Sequence, residues 1–367
     1  MTLDLSLLPD GGMSWLDASG PESDIVLSSR IRLARNLRGR AFPVRAAPED
    51  LMIARDEVLA VTNESAVLHP VTMFRLDELD LLERQVLHER HMISRELAGL
   101  ERARPVRQGA ALLTNGELAV MINEEDHLRL QSLRSGFDLE RAYGQLERLD
   151  SEMGSQIPFA FHPEFGYLTA CPTNAGTGLR ASVLIHLPGL VLTKEIAKVL
   201  QGLSQVGLTF RGLYGEGSEV VGNFFQLSNQ TTLGKSEEDL LDHLATMVRQ
   251  VVEYEQRARV VLQREAPTVI ADKVWRAYGL LRYARSLSFE EAMNLLSGVR
   301  LGVGLNLIRD VSVYTLNKLL IFTQPAHIAE REGRALSDPE LPISRATYVR
   351  RLLEEDAERR GPGGGAD

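Results

Sequence analysis

The residues best equipped for chemistry lie in Cys171-Pro172-Thr173-Asn174-Ala175-Gly176-Thr177-Gly178-Leu179-Arg180-Ala181-Ser182, which holds the only cysteine of the chain. A lone thiol cannot close an intramolecular disulfide, and one cysteine is a poor start for a zinc site. The proline, asparagine and glycines favour a tight, non-helical backbone with free N–H groups. A thiol, a glycine loop and a guanidinium in succession suit a site that handles an anion. The same pattern also fits a turn around a buried cysteine, which packs as a small apolar side chain.

Arginines supply the matching charge. Arg30, Arg32, Arg35, Arg38 and Arg40 crowd one short stretch. In an extended strand, residues two apart share a face, so Ser28, Arg30 and Arg32 point the same way. Two planar, permanently charged forks and a hydroxyl suit a polyphosphate. Leu27 and Ile31 imply a half-buried strand, where an arginine needs an anion partner. Arg35, Arg38 and Arg40 read as a solvated basic face. Arg129, Arg180 and Arg211 each adjoin a turn or loop, where sites are usually built.

The carboxylates point to a cation. Asn123-Glu124-Glu125-Asp126 ends an apolar run from Leu118 to Ile122. Three consecutive acids repel one another unless a cation is near, although the start of a helix also favours acids. On the functional reading, one acid serves Mg²⁺ and its neighbour binds a cationic substrate. Glu216, in a glycine-flanked loop, is a second candidate. Two converging carboxylates suit a guanidinium, which presents paired N–H donors, and they raise its nucleophilicity by holding its protons. No Gly-x-x-x-x-Gly-Lys-Ser/Thr loop is present, and Gly302-Val303-Gly304 reads as helix packing.

These groups need a scaffold. The pattern is extended over 24–37 and helical over 48–62, 77–100, 125–134 and 139–153. A β-hairpin over 110–122 turns at Asn115-Gly116, the dipeptide of type I′ turns. Short strands are expected at 157–161, 182–187, 207–213 and 220–227, with a helix at 190–205. This is an α+β pattern. Beyond Asn229 the pattern is helical. Ser236-Glu237-Glu238-Asp239 opens a long helix to about Arg264, Pro267 starts another, and Ser288-Phe289-Glu290-Glu291 a third. The expected organisation is an irregular lead-in (1–23), an α+β domain (24–255), a helical C-terminal domain (256–360) and a disordered tail (361–367).

With 367 residues, 44% hydrophobic and 25% charged, the composition is that of a soluble globular protein of two or three domains. One cysteine fits a reducing compartment. The first twelve residues lack the basic region of a signal peptide. The apolar run 181–193 is interrupted by His186 and Pro188 and is too short to span a bilayer. A net charge of −9 argues against nucleic-acid binding by the whole surface, so the arginine clusters read as focused anion sites.

Four segments in order, Ser28-Ser29-Arg30-Ile31-Arg32-Leu33-Ala34-Arg35-Asn36, Asn123-Glu124-Glu125-Asp126-His127, Cys171 to Gly178, and Arg211-Gly212-Leu213-Tyr214-Gly215-Glu216, resemble the phosphagen (guanidino) kinase family. The closest likeness is to bacterial protein-arginine kinases of the McsB type. The resemblance implies a phosphagen-kinase-like catalytic domain, an antiparallel sheet flanked by helices, followed by an all-helical domain. It implies ATP and Mg²⁺ and ATP-dependent phosphorylation of arginine side chains in proteins, marking them for regulated proteolysis in stress response. By motif position, Ser28, Arg30, Arg32, Arg129, Arg180 and Arg211 would contact the phosphates. Ser29, Ile31, Ala181, Ser182, Val183, Leu184, Gly212, Leu213, Tyr214, Gly215 and Glu216 lie in the same nucleotide-binding segments. His91 would lie at the adenosine. Glu125 and Glu216 would hold the substrate guanidinium with Cys171 beside it, and Glu124 would reach Mg²⁺ through water.

The implied partners are proteins presenting arginine, a zinc-binding activator protein, ATP-dependent protease machinery and a second copy in a homodimer. No membrane is involved, and nucleic acid only indirectly, through a phosphorylated repressor. The implied location is cytoplasmic. One departure stands out. Where the McsB type carries Arg-Asp-x-x-Arg-Ala, this chain reads Leu341-Pro342-Ile343-Ser344-Arg345-Ala346. Leu and Pro cannot supply a charged anion contact, so phosphoarginine sensing is not expected at this stretch, and Arg345 reads as a helix-surface or interface residue. The competing readings are a kinase of free arginine or another small guanidino compound, and a non-catalytic adaptor. The presence of Glu125, Glu216 and Cys171 weighs against the adaptor.

Overall fold

A computed structural model describes residues 3–100, 106–212 and 220–360. The expected tail, 361–367, lies outside them. The strands are β1 (Val26–Arg35), β2 (Thr72–Arg75), β3 (Ala111–Thr114), β4 (Leu118–Ile122), β5 (Leu128–Ser135), β6 (Phe161–His162), β7 (Gly166–Tyr167), β8 (Leu179–His186), β9 (Leu208–Arg211) and β10 (Phe224–Asn229). The helices are α1 (Pro48–Thr62), α2 (Leu81–Glu89), α3 (Leu139–Gln156), α4 (Pro188–Leu192), α5 (Ile196–Gln205), α6 (Glu237–Glu265), α7 (Pro267–Tyr283), α8 (Phe289–Gly304), α9 (Val313–Phe322), α10 (Pro325–Glu332) and α11 (Glu340–Arg360). Among the described residues the main sheet runs β2-β3-β4-β5-β1-β8-β10-β9, and β6 and β7 form a separate ribbon.

The chain divides into two compact units. The first comprises Met1–Trp15, Ser28–Val183 and Ser228–Thr246. Its strands β2 to β5 and β1 pair antiparallel. Phe74, Leu87, Ile93, Leu112 and Met121 belong to its core. Helix α3 buries Ala142, Leu146, Leu149 and Met153, spaced three and four apart, and packs on β5.

Several local expectations change in this unit. The helical pattern over 77–100 shrinks to α2, because Asp80 caps its start and His91 takes a left-handed φ of 61° just after its end. Residues 128–135 form a strand, not a helix. The chain reverses at 123–127, where the Asn123 amide donates to the His127 carbonyl at 3.0 Å, and Leu128 and Leu130 then alternate inward. The asparagine and three acids therefore do not open a helix. In the β3–β4 hairpin the central turn residues are Gly116 and Glu117, with a positive φ (98°) at Gly116 only. That matches a II′ turn rather than I′. Of the strand expected at 157–161, only Phe161 belongs to a strand, β6.

Arg35 is not a solvated charge. It is 1% exposed and forms a two-pronged bond to Asp150 at 2.9 and 2.8 Å. It also donates to the Ala34 and Thr177 carbonyls, both at 2.9 Å, and lies 3.5 Å over the Tyr167 ring. This cation therefore ties β1 to α3 and to the glycine loop before β8. Gly178 permits the approach. Its φ is 66°, and a Cβ there would lie 2.6 Å from the Ala34 carbonyl oxygen. Of the neighbouring arginines, Arg38 is exposed and Arg40 pairs with Glu57.

The second unit comprises Leu16–Leu27, Leu184–Leu227 and Met247–Asp367. Its core gathers Leu281, Met293, Leu296, Leu319 and Leu353, among others, from α7, α8, α9 and α11. The caps read from sequence form. In the first unit Ser236 and Asp239 satisfy each other's backbone amides, and in the second the Ser288 hydroxyl accepts from the Glu291 amide. Gly302 is a packing glycine, since a Cβ would lie 2.3 Å from Val274. The helix expected over 190–205 is split into α4 and α5, with Lys194 left-handed between them. Arg345 is 2% exposed, not a surface residue. It donates to the Thr323 carbonyl at 2.7 Å and the Leu287 carbonyl at 2.9 Å.

Asp150→Ala leaves Arg35 buried without its carboxylate and should cost about 3–5 kcal/mol. Chemical denaturation of the full chain checks this; a loss below about 1 kcal/mol contradicts the buried clamp.

Candidate active site

The pairing of β1 with β5 builds the first half of the site. Arg30 lies opposite Leu133, Arg32 opposite Gln131 and Ala34 opposite Arg129. Opposed residues share a face, and the face alternates along each strand. Ser28, Arg30, Arg32, Arg129 and Gln131 therefore share one face, while Ser29 and Ile31 face the other. The Ser29 hydroxyl donates to the Gly136 carbonyl and accepts from the Asp138 amide, both at 2.9 Å. Ile31 is fully buried. Their side chains lie away from the arginine cluster.

Arg180, on β8, joins the electrostatic group. Burial first, then the charges of Arg180 and Arg129, lower Arg30 to about 10. Arg32 is pushed well below the ordinary arginine range by burial and by Arg30, Arg129 and Arg180, with Glu124 opposing. The Arg180 guanidinium donates to Ser228 Oγ at 3.3 Å. Arg32 Nε is buried without a hydrogen-bond partner. Mutual repulsion of this kind is relieved by a polyanion, so the donor set fits a polyphosphate. Ala181, Ser182 and Val183 follow on β8 and are buried, and Leu184 is part of the second unit's core.

The 123–127 turn supplies the acids. Glu124 is 1% exposed; it pairs with Arg129 through Oε1, while Oε2 is buried without a partner. Glu125 is partly exposed, 4.0 Å from Arg129. Its carboxyl is pushed above the ordinary glutamate range by burial and then by Glu124, with Asp126 and Glu96 adding and Arg129 opposing. Five side chains hold the turn, and the motif reading gave none of them a role. Asn123 Nδ2 donates to the Leu51 and Gly109 carbonyls at 2.8 and 3.1 Å. Arg107 bonds the Glu124 carbonyl and pairs with Glu96 at 3.0 Å. Asp126 and His127 bond Asn36 at 2.6 and 2.9 Å. Burial and Arg40 lower His127 to about 4, so it is neutral at pH 7. Asn36, Asn123, Asp126 and His127 stood inside the quoted motifs. Only the placement of polar residues next to buried strands signalled a structural role.

Cys171 is partly exposed at the head of the 3-10 turn Pro172–Asn174, with Sγ 3.1 Å from Thr173 Oγ1. The preceding amide, of Ala170, donates to Asp126 Oδ1 at 2.7 Å, which brings the thiol loop to the acidic turn. His91 is held beside the arginine face by Gln131, whose Nε2 donates to the His91 carbonyl at 2.9 Å, and its ring meets Trp15 edge-on at 5.5 Å. Burial and Arg30 keep His91 neutral. Arg211 ends β9 in the second unit, followed by buried Gly212. Leu213, Tyr214, Gly215 and Glu216 lie outside the described residues. Among the described residues, no group of three or more His, Cys, Asp or Glu could hold a metal on its own.

Residues 54–258 match the family described as ATP:guanido phosphotransferase, C-terminal catalytic domain, and residues 267–361 match the protein-arginine kinase McsB C-terminal domain. The chain is 44% identical over 342 residues to the protein-arginine kinase of Desulforamulus reducens, covering 92% of this chain and 95% of that one. It belongs to the ATP:guanido phosphotransferase family, in the protein-arginine kinase branch. The protein-arginine kinase of a Bacillus cereus strain is 42% identical over 357 residues, 96% of this chain and 99% of the relative. Among solved guanido phosphotransferase structures, lombricine kinase superposes with a TM-score of 0.55 at 25% identity, covering 69% of this chain and 70% of that one. The duplicated taurocyamine kinase of Schistosoma mansoni gives 0.54 at 28%, and the match spans 34% of that longer chain. Membership of this family makes the chain a phosphotransferase enzyme, with the antiparallel sheet and helices of the phosphagen kinase fold.

The charges around Glu125 can be measured directly. A carboxyl-resolved NMR titration should place its midpoint above the ordinary glutamate value, and Glu124→Gln should lower it by removing a neighbouring negative charge. A midpoint at or below the ordinary value contradicts the described environment.

Proposed function

We propose that this chain transfers the γ-phosphoryl group of ATP to arginine side chains of proteins. The observation that carries this reading is the arginine-lined sheet face beside a glutamate turn and a thiol loop, all within one compact unit. Arg30, Arg32, Arg129 and Arg180 bind the triphosphate, with Ser28 on the same face. They neutralise charge on the phosphoryl group in flight, so positioning and electrostatics supply most of the rate. Glu125 orients the acceptor guanidinium and receives the proton that its nitrogen loses. As the N–P bond forms, the bond from phosphorus to the bridging oxygen of ADP breaks, leaving phosphoarginine, ADP and a protonated glutamate.

Glu216 is the proposed second carboxylate on the guanidinium, and Cys171 lies beside that group. His91 borders the adenosine, and the remaining nucleotide contacts come from residues 181–184 and from Arg211 through Gly215. Glu124, with its unpartnered buried oxygen, would hold Mg²⁺ through water. When bound, the ion supplies further neutralisation of phosphate charge. We assign catalysis to residues 24–255 and a separate helical domain to 256–360. The proposed partners are a second copy in a homodimer, a zinc-binding activator protein and ATP-dependent protease machinery. The proposed setting is a cytoplasmic stress response, with nucleic acid touched only through a phosphorylated repressor. Among the described residues, no helix is long and apolar enough to cross a membrane.

Incubation with ATP, Mg²⁺ and a denatured protein should give acid-labile phosphate on arginine, read by mass spectrometry under non-acidic handling. Phosphate on free L-arginine alone overturns the protein substrate. Glu125→Gln should lower the rate by about 10²–10⁴. Arg32→Gln should weaken ADP binding by about 10- to 100-fold, the loss of a charged hydrogen bond. Unchanged ADP affinity in that variant removes Arg32 from the phosphate site.

A further inference from the structure

We infer that Asp126 is a positioning residue that sets the distance between Glu125 and the Cys171 loop, an inference that rests on the reaction proposed above. Asp126 is 1% exposed, so it is placed to touch neither substrate. One oxygen, Oδ1, accepts from the Ala170 amide at 2.7 Å and from Asn36 Nδ2 at 2.6 Å. Asn36, equally buried at the end of β1, also donates to the Leu168 carbonyl at 3.0 Å and accepts from the His127 amide at 3.0 Å. A single carboxylate oxygen thus joins the acidic turn, the tail of β1 and the segment that leads into the thiol loop. Glu125 is one residue before Asp126, and Cys171 is one residue after Ala170. Each group proposed to meet the guanidinium is therefore one peptide away from the same bond.

A purely structural role accounts less well for the residue chosen. The second oxygen, Oδ2, is buried without a partner, and the side chain sits beside two other acids. A buried carboxylate in such surroundings costs stability unless fully bonded, and a buried unsatisfied atom in a native fold calls for a reason. Two short, charge-assisted bonds converging on Oδ1 hold three segments more stiffly than a neutral acceptor does. Stiffness matters because a displacement of about 1 Å at a reacting group costs about 10²-fold in rate.

Three variants of the full chain test the inference. Asp126→Ala should lower kcat/KM for a protein arginine acceptor by about 10²-fold, with most of the loss in kcat, while ADP affinity stays within about twofold of wild type. Asp126→Asn keeps an acceptor oxygen but loses its charge, and should recover only part of the rate. Asn36→Ala cuts the same link from β1, so combining it with Asp126→Ala should add little, as for two ends of one linkage. The inference falls if Asp126→Ala lowers only the melting temperature, if ADP affinity falls in step with the rate, or if the losses of the two variants multiply. Should Asp126→Ala fail to fold, Asn36→Ser must show the same split between rate and ADP affinity, and its absence overturns the inference. A wild-type chain that phosphorylates no protein arginine overturns the reaction itself; an active wild type with an unaffected Asp126→Ala overturns only the positioning role.

Discussion

Like charges gathered on one sheet face are the constraint from which the rest of the first unit follows. The β1–β5 register places Arg30, Arg32 and Arg129 together, and their repulsion opposes folding unless other contacts hold the strands. A slip of one residue would turn these side chains toward the opposite face and bring Ile31 out. The strands are held by burial on that other face, by the Ser29 hydroxyl and by the Arg35–Asp150 clamp. A cation fully neutralised by one carboxylate thus secures a strand whose other cations are kept for a ligand. Two arginines of one segment have opposite fates because they face opposite sides of the same strand.

The acids follow the same division of labour. Glu124 and Glu125 keep carboxyl oxygens at the site, while Asn123, Arg107, Asp126 and His127 spend their polar atoms on holding the turn. A turn carrying three acids is costly to bury. Bonds to the Asn123 and His127 amides and to the Glu124 carbonyl offset that cost and fix where the two glutamates point. The glycine loop completes the arrangement. Gly178 brings the end of the loop against β1, so that the Ala34 amide can donate to the Gly178 carbonyl at 3.0 Å. The thiol loop is therefore braced at one end by β1 and at the other by Asp126.

Much of the architecture was legible from local physics. The α1 bounds followed from helical spacing, and α6, α7 and α8 from their serine and proline starts. The errors share a cause. Residues 125–134 carry acids followed by leucines and arginines, a composition that suits a helix. Their two-residue alternation is decided only when β4 and β1 pair on either side. The pattern over 77–100 likewise hid the left-handed His91 that separates α2 from the turns after it.

By itself the sequence determined the chemistry on offer. It set out the arginine spacing on one strand, the acidic run, a single thiol in a glycine loop and the departure at Leu341-Pro342, since residue type and alternation are local properties. Tertiary structure alone decided which charges serve the site and which serve the fold. Arg35 and Arg345 read as surface cations until Asp150, Tyr167, Thr323 and Leu287 closed around them. Asp126 read as one acid among three until Ala170, 44 residues away in sequence, reached its Oδ1. A partner's identity depends on which distant segment arrives beside a side chain, and no local pattern records that arrival.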